Sequence, residues 1–495
     1  MRALPDANAR LANLAETARI ESATSRRASE PWVTAKRSGC IPVLVVGAGQ
    51  AGLVTAVGLR SRGISDVTVV DSAAESEAGP WTSYARMRTL RTPKDIHWPT
   101  WDIPSATPRA WFEARYGHAA WQAITLIPTE DWQAFLEWYR MTLAIAVEFE
   151  TTVTRIVGGE GGTPFTVTVS SNGSTRALRA DRIVLATGLE GSGGRRAPAN
   201  LFSGIPTDTW AHTHDDIGFE ALAGARVGIL GGGTGAFDNA ATALEAGARS
   251  AVVHMRRPSM PTVSPYRWME FPGVIEHYAE FTDTQKWIFN EHLALVDQPA
   301  TQNAIWRAYS HPAFSFRFSS PWSAVHWNGE EIVVQTPSGE ERYDFVIAAT
   351  GVSVDIRQRS ELSHFADEIA LWRDRYSPES GQDRYGLLDH PYLDDHFGFV
   401  SRDDRDDSPL SRIHLFNHGA KLSLGVLSHQ ISGLYGGAER LVRGLVRGLF
   451  ASRSSDILAE CLAYDTSTGV IVGPSISTRP APATAVPITT SRTAI

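Results

Sequence analysis

Cysteine is almost absent from this chain of 495 residues: Cys40 and Cys461 stand far apart, and no CxxC occurs. That excludes a disulfide framework, a cysteine zinc site and a redox-active dithiol, and it fits a reducing, cytoplasmic compartment. Charge of one sign is lacking too. A formal net charge of −8, spread thinly, provides neither the basic face that nucleic acid requires nor a strip for an anionic membrane, so small molecules are the partners to look for. No uninterrupted apolar run opens the chain, and no secretory signal is expected. The most apolar window, residues 41–59, is broken by four glycines and reads as a buried strand, turn and helix rather than a membrane span. His212 and His214 lie close together without a third ligand at metal spacing, so no metal site is expected. No Ser-His-Asp signature or nucleophile elbow is present.

What the chain does contain is an internal repeat, visible in the order of elements rather than in residue identity. The first copy runs from a glycine turn at Gly47 through VTVVD (67–71), FTVTV (165–169), the turn SNG (171–173) and DRIVLATG (181–188). The second runs from a glycine turn at Gly231 through SAVVHMRR (250–257), IVVQT (332–336), the turn PSG (337–339) and DFVIAATG (344–351). Strand, glycine turn, helix, strand, hairpin, strand and a closing ATG describe a nucleotide-binding domain carrying a β-meander, and the alternation around Asn172-Gly173 is a hairpin signal. The expected fold class is therefore α/β, with two Rossmann-like dinucleotide-binding domains, one inserted into the other. Residues 39–200 and 412–452 form the outer domain and residues 201–355 the inserted one. Residues 356–411 are an insertion expected to cover the active site or to form a subunit contact. Residues 1–38 read as a helical arm, with Leu11, Leu14 and Ala18 on one face after Asp6 as N-cap. Residues 453–495 read as an extension, and from about 466 their Ser, Thr, Pro, Ala and Gly content predicts a disordered tail.

The two glycine turns differ in a way that carries chemistry. In GAGQAG, Gly47, Gly49 and Gly52 fill the three fingerprint positions between the strand IPVLVV and a helix. A Cβ at the first two would obstruct the turn and the approach to a pyrophosphate, and one at the third would hold the helix off the sheet. Asp71 follows Gly47 by 24 residues, where a carboxylate binds a ribose hydroxyl. In GGGTGA, Gly231, Gly233 and Ala236 fill the same positions, and Thr234 within the turn is counted with them. The next strand delivers Arg256 and Arg257 instead of an acid, and a guanidinium there matches a ribose 2′-phosphate. Two sites of opposite sign imply two dinucleotides, with NADPH favoured over NADH at the second and FAD at the first. The bland alternative for the arginines is a solvated surface pair.

These motifs resemble the two-dinucleotide-binding flavoproteins, and within them the flavin-containing, Baeyer-Villiger and N-hydroxylating monooxygenases (class B flavin monooxygenases). LFSGIPTDTWAHT (201–213) is similar to the FxGxxxHxxxW/Y fingerprint of that group, with Phe202 and Gly204 in place, but Asp208 stands where the histidine belongs and Trp210, His212 and Thr213 are displaced. That departure counts against a typical Baeyer-Villiger enzyme. GPWTSYARMRTLRTPK (79–94) looks like the loop that runs from flavin ribose towards the isoalloxazine, with Gly79 and Trp81 in the positions of a GGxW segment, and residues 412–441 look like the returning FAD segment, without the family's closing Gly-Asp pair.

The resemblance implies an FAD- and NADPH-dependent monooxygenase that transfers one oxygen atom of O2 from a C4a-(hydro)peroxyflavin to a small organic substrate, N-hydroxylation being favoured over S- or ketone oxidation. Arg91 and Lys94 are the first catalytic candidates, with Arg88 beside them, because positive charge there steadies a reduced flavin or an acidic substrate. Asn417 and Ser423 are candidates for flavin hydrogen bonds. Exposed loop charges are more often solvated, and buried turns also need polar caps, so both alternatives stand. The seven tryptophans of residues 81–138 either wall an aromatic cavity or pack the core, with core packing the expectation. Two rivals stand beside this reading: an NADPH oxidase or reductase of the same fold that oxygenates nothing, and, from a different class, a non-catalytic flavin-binding redox sensor. Oligomeric state is left open, a homodimer among the options.

Overall fold

The computed structural model describes residues 1–24, 31–33, 39–379, 381–405, 407–428 and 430–465. The run IPVLVV forms the strand Ile41–Val46, with Val43, Leu44 and Val45 fully buried. Continuous apolarity marks a strand covered on both faces. It lies inside a seven-stranded sheet, parallel to Val67–Val70 on one side and to Ser174–Leu185 on the other, and Val147–Glu148 extends the sheet beyond Val67–Val70.

Ser174–Leu185 serves two sets of partners. Along its length it pairs antiparallel with Phe165–Ser171, which in turn pairs with Thr151–Gly158, and Asn172 and Gly173 supply the two positive φ angles of their tight hairpin turn. Its last residues pair parallel with Ile41–Val46 and, on the far side, with Ile413–Leu415. The sheet is thus completed only when the chain returns, and a second domain is inserted into the first. That second domain has a five-stranded parallel sheet ordered Trp210–His212, Phe345–Ala348, Arg226–Leu230, Ser250–His254, Phe314–Arg317. Ala324–Trp327, Ile332–Thr336 and Gly339–Tyr343 form its antiparallel meander. The two crossings between the domains run side by side, because Gly193–Arg195 pairs antiparallel with Val352–Val354.

The N-terminal helix Ala7–Thr24 packs on the first domain: Ala7, Ala15 and Ala18 are buried, Arg10 Nε donates to Ala114 O at 3.0 Å, and Glu21 accepts from Ser105. The tryptophans lie mainly in the core, where Trp111, Trp121 and Trp132 are fully buried and Trp98 meets Trp132, Phe135 and Tyr139 edge to face. In the insertion, Trp372 is fully buried with Trp287, Leu387 and Leu422, and its Nε1 donates to Ser423 Oγ at 3.0 Å.

These elements belong to one compact unit, Met1–Leu449; the other, Phe450–Ile495, contains the helix Ser454–Leu462, which has no buried residue. The tail expected from about residue 466 lies outside the described residues. Among the described residues no helix is long and apolar enough to cross a membrane.

Candidate active site

The first glycine turn joins Ile41–Val46 to the helix Gln50–Ser61, with Gly49 as N-cap. Gly47 has φ +108°, and a Cβ there would overlap the carbonyl of Ala186. A Cβ on Gly52 would overlap Gly47 O and reach Val45 Cγ1 at 3.3 Å. Gly49 differs, since its φ of −66° suits any residue and its Cβ would meet nothing nearer than Gly79 Cα at 3.9 Å. Protein packing explains the outer two glycines, and a ligand backed onto the helix N-terminus is what remains to explain the middle one. Asp71 Oδ2 accepts from Ala48 N at 2.6 Å and Oδ1 from Ala73 N at 2.8 Å. The carboxylate therefore fixes the turn while each oxygen keeps a lone pair for a ribose hydroxyl. Trp81 lies beside Gly79, its indole N–H shielded from water and without an acceptor among the described residues.

The second turn repeats this logic. Gly231, at φ +133°, leaves no room for a Cβ against Ala349 O, whereas Gly233, the N-cap of Thr234–Glu245, has φ −80° and nothing within 4 Å of where a Cβ would stand. Ala236 lies on the buried face of that helix, and Thr234 Oγ1 already accepts from Thr301 N at 3.2 Å. The arginine pair splits. Arg257 donates to Leu295 O at 2.9 Å and Ala294 O at 3.3 Å and pairs with Asp297 at 3.5 Å, which commits it to the end of the helix Asp283–Val296. Arg256 is exposed and has no ion pair or hydrogen-bond partner among the described residues.

Two residues before Arg256, at the end of the strand Ser250–His254, His254 is wholly buried. Its Nε2–H donates to Tyr343 Oη at 2.7 Å, Tyr343 donates to Glu341 at 2.7 Å, and Ser320 Oγ lies 2.8 Å from Nδ1. Burial depresses its pKa to about 4.

The loop of residues 79–94 is clamped between the domains. Arg86 donates to Thr213 O at 2.6 Å and Asp215 O at 2.7 Å and covers the Phe219 ring; Arg307 donates to Arg86 O at 2.9 Å while gripping Glu245 with two bonds. Arg88 also pairs with Glu245, at 2.7 Å. Tyr84 stacks on His214 at 4.1 Å, and His214 lies 3.1 Å from Glu190, which Arg195 also contacts at 3.0 Å. Burial alone would raise the Glu190 pKa, but the His214 and Arg195 bonds outweigh it and hold the acid below its usual range. His212, whose Nε2–H donates to Gly351 O at 2.9 Å, is depressed to about 4 by burial and by His214.

The catalytic candidates are placed unequally. Arg91 bridges to the second domain, donating to Pro299 O at 2.9 Å. Lys94 turns away: its Nζ donates to Trp121 O at 2.6 Å and rests 5.3 Å from the Trp121 ring centroid. Asn417 is fully buried, its Nδ2 donating to Thr187 Oγ1 and Gly191 O at 2.9 Å each and its Oδ1 accepting from Gly419 N. It braces the first ATG turn and has no donor left for a cofactor. Ser423 is likewise occupied by Trp372, Leu393 and Pro391. Two residues that sequence reasoning missed meet near Arg91: Lys421 Nζ donates to Tyr266 Oη at 2.7 Å. No local pattern marks them, because they are 155 positions apart.

With this geometry in view, the family model described as pyridine nucleotide-disulphide oxidoreductase matches residues 41–270. The chain is 37% identical over 439 residues to an FAD-dependent urate hydroxylase of Xanthomonas campestris pv. campestris, covering 88% of this chain and 92% of that one. Among solved structures it resembles an ornithine N-hydroxylase of Kutzneria sp. 744 (TM-score 0.64, 17% identity, 83% of this chain and 99% of that one) and an L-lysine 6-monooxygenase of Pseudomonas syringae (TM-score 0.60, 16% identity, 82% and 99%).

Proposed function

Because this chain belongs to the flavin-dependent monooxygenase family of that urate hydroxylase, we propose that it binds FAD at the first glycine turn and NADPH at the second and hydroxylates urate or a closely related purine. The observation that carries the reading is the pair of turns whose middle glycines, Gly49 and Gly233, stand open where the chain itself requires no glycine. Residues 47–52 and Asp71 would hold the FAD pyrophosphate and ribose; residues 231–235 and Arg256 would hold NADPH. Bound FAD, reduced by NADPH, supplies the reaction with O2. The balance is substrate, O2, NADPH and a proton giving hydroxylated substrate, NADP+ and water. The chain's own task is to position and enclose, and the Arg86 and Arg307 clamps fix the loop of residues 79–94 between the two domains. Urate hydroxylation takes precedence over the N-hydroxylation favoured from sequence, since the N-hydroxylases share the fold at 16 to 17% identity and fold alone does not carry substrate.

The test supplies the FAD-loaded protein with NADPH, urate and 18O2. Urate loss matched to NADPH oxidation, with one labelled oxygen in the product, is the expected result. NADPH consumption yielding only hydrogen peroxide would identify an oxidase, and no flavin reduction by NADPH would identify a sensor. A separate prediction concerns the donor: Arg256→Ala should raise the KM for NADPH about tenfold or more and leave that for NADH nearly unchanged, the loss expected for one charge-assisted phosphate contact. Equal effects on both would remove Arg256 from the phosphate site.

A further inference from the structure

Three distant segments bring Arg91, Tyr266 and Lys421 together. Arg91 lies on Thr89–Pro93, where the alternation of a strand puts it opposite the buried Leu90. Tyr266 lies on Pro265–Trp268, and Lys421 opens Lys421–Leu424, whose next three residues are buried and whose approach is held by the Asn417 brace. Lys421 Nζ donates to Tyr266 Oη and sits 5.2 Å from its ring centroid, while Arg91 is within electrostatic range of the same tyrosine.

Neither cation is neutralised directly. Lys421 has no carboxylate partner among the described residues, and the Arg91 bond goes to an uncharged carbonyl. The two acids within range of Arg91, Asp238 and Asp297, are paired with Arg307 at 3.4 Å and Arg257 at 3.5 Å. A half-buried tyrosine bonded to one such cation and within electrostatic range of a second suits a flat anion, with the ring offering a face and the cations an oxyanion grip.

We propose that Lys421 and Arg91, the two cations that act on Tyr266, form the anion grip of the substrate site, with Lys421 taking an oxyanion of the urate-like ring. The assignment rests on the substrate reading above. Lys421 would exchange its bond to Tyr266 for one to substrate, so it sets affinity for the anion rather than for either dinucleotide.

The experiment compares wild type, Lys421→Gln, Lys421→Arg and Tyr266→Phe as FAD-loaded proteins with urate and NADPH. Lys421→Gln is expected to raise the KM for urate about 10- to 100-fold, the loss of one charge-assisted contact, with FAD content and the KM for NADPH unchanged. Lys421→Arg should recover most of the loss, and Tyr266→Phe should change the urate KM by less than about threefold. An unchanged urate KM in Lys421→Gln overturns the grip. So does a Tyr266→Phe effect equal to that of Lys421→Gln, which would make the lysine a brace for the tyrosine. A wild type that fails to hydroxylate urate overturns the substrate reading itself and this assignment with it, and that result precedes any variant.

Discussion

Replacing Gly49 with alanine is expected to leave the stability of the FAD-free protein within about 0.5 kcal/mol of the parent and to lower FAD affinity about a hundredfold or more. The backbone at Gly49 already has an ordinary conformation, and the added methyl would meet only Gly79 Cα at 3.9 Å. Its cost falls on the bound pyrophosphate, which must retreat from the helix N-terminus, and about 3 kcal/mol corresponds to the stated loss. Gly52→Ala is the contrast. Its methyl would run into Gly47 O and Val45 Cγ1, so the helix must leave the sheet, a strain of roughly 1 to 3 kcal/mol or more in a packed core. Urea unfolding of both FAD-free variants, with FAD titration of each, separates the two roles. A Gly49→Ala protein that binds FAD normally but unfolds early would reverse the assignment. The same contrast holds at the second turn, where Gly233→Ala should weaken NADPH binding alone and Gly231→Ala should destabilise the domain.

The pattern of success in reading the sequence follows from how local each feature is. GAGQAG and GGGTGA declare themselves because strand, turn and helix are contiguous, and the Asn172-Gly173 hairpin needs only its own two residues. The strands Phe314–Arg317 and Ala324–Trp327 were not legible. Each spans four residues, too short for a periodic signal. Arg256 and Arg257 are identical in type and adjacent, and only the arrival of the helix Asp283–Val296 commits one of them as a cap. Lys94 and Asn417 carried the right chemistry for a flavin site, yet their partners, Trp121 and the Thr187 turn, are set by tertiary packing. Tyr266 and Lys421 fail for the same reason in the other direction. Chemistry-bearing residue types can be read from sequence, but their aim comes from the fold.

Steep loss of stability below about pH 6 is the second large effect expected. Burial holds His212, His254 and His390 at pKa values near 4 and His414 near 3, against 6.5 for a free side chain. For a group whose pKa is depressed in the folded state, the stabilisation is complete above the unfolded value and is lost as the pH falls towards the folded one. The loss should therefore begin near pH 6.5 and be nearly complete by pH 4. Each of the three shifts to about 4 corresponds to roughly 3 kcal/mol and that of His414 to somewhat more, so two of the four already approach the 5 to 15 kcal/mol that keeps a typical domain folded. Asp238 works in the opposite sense. Burial raises its carboxyl to about 6 in spite of Arg307, so its ionisation penalty fades as the pH falls through that value and offsets about one histidine. Asp131 and Asp394, also raised by burial, act with Asp238, and His396, lowered by burial, acts with the four histidines; five histidines against three carboxyls favour acid unfolding. Thermal unfolding from pH 8 to 4 should show a Tm plateau above pH 6.5 and a steep fall below it. His254→Gln, which keeps a donor towards Tyr343, should lower the stability at neutral pH and flatten that fall by up to one proton. A variant profile parallel to the parent's across the whole range would show that His254 takes up no proton on unfolding, and the buried Ser320, His254 and Tyr343 chain would then play no part in acid sensitivity.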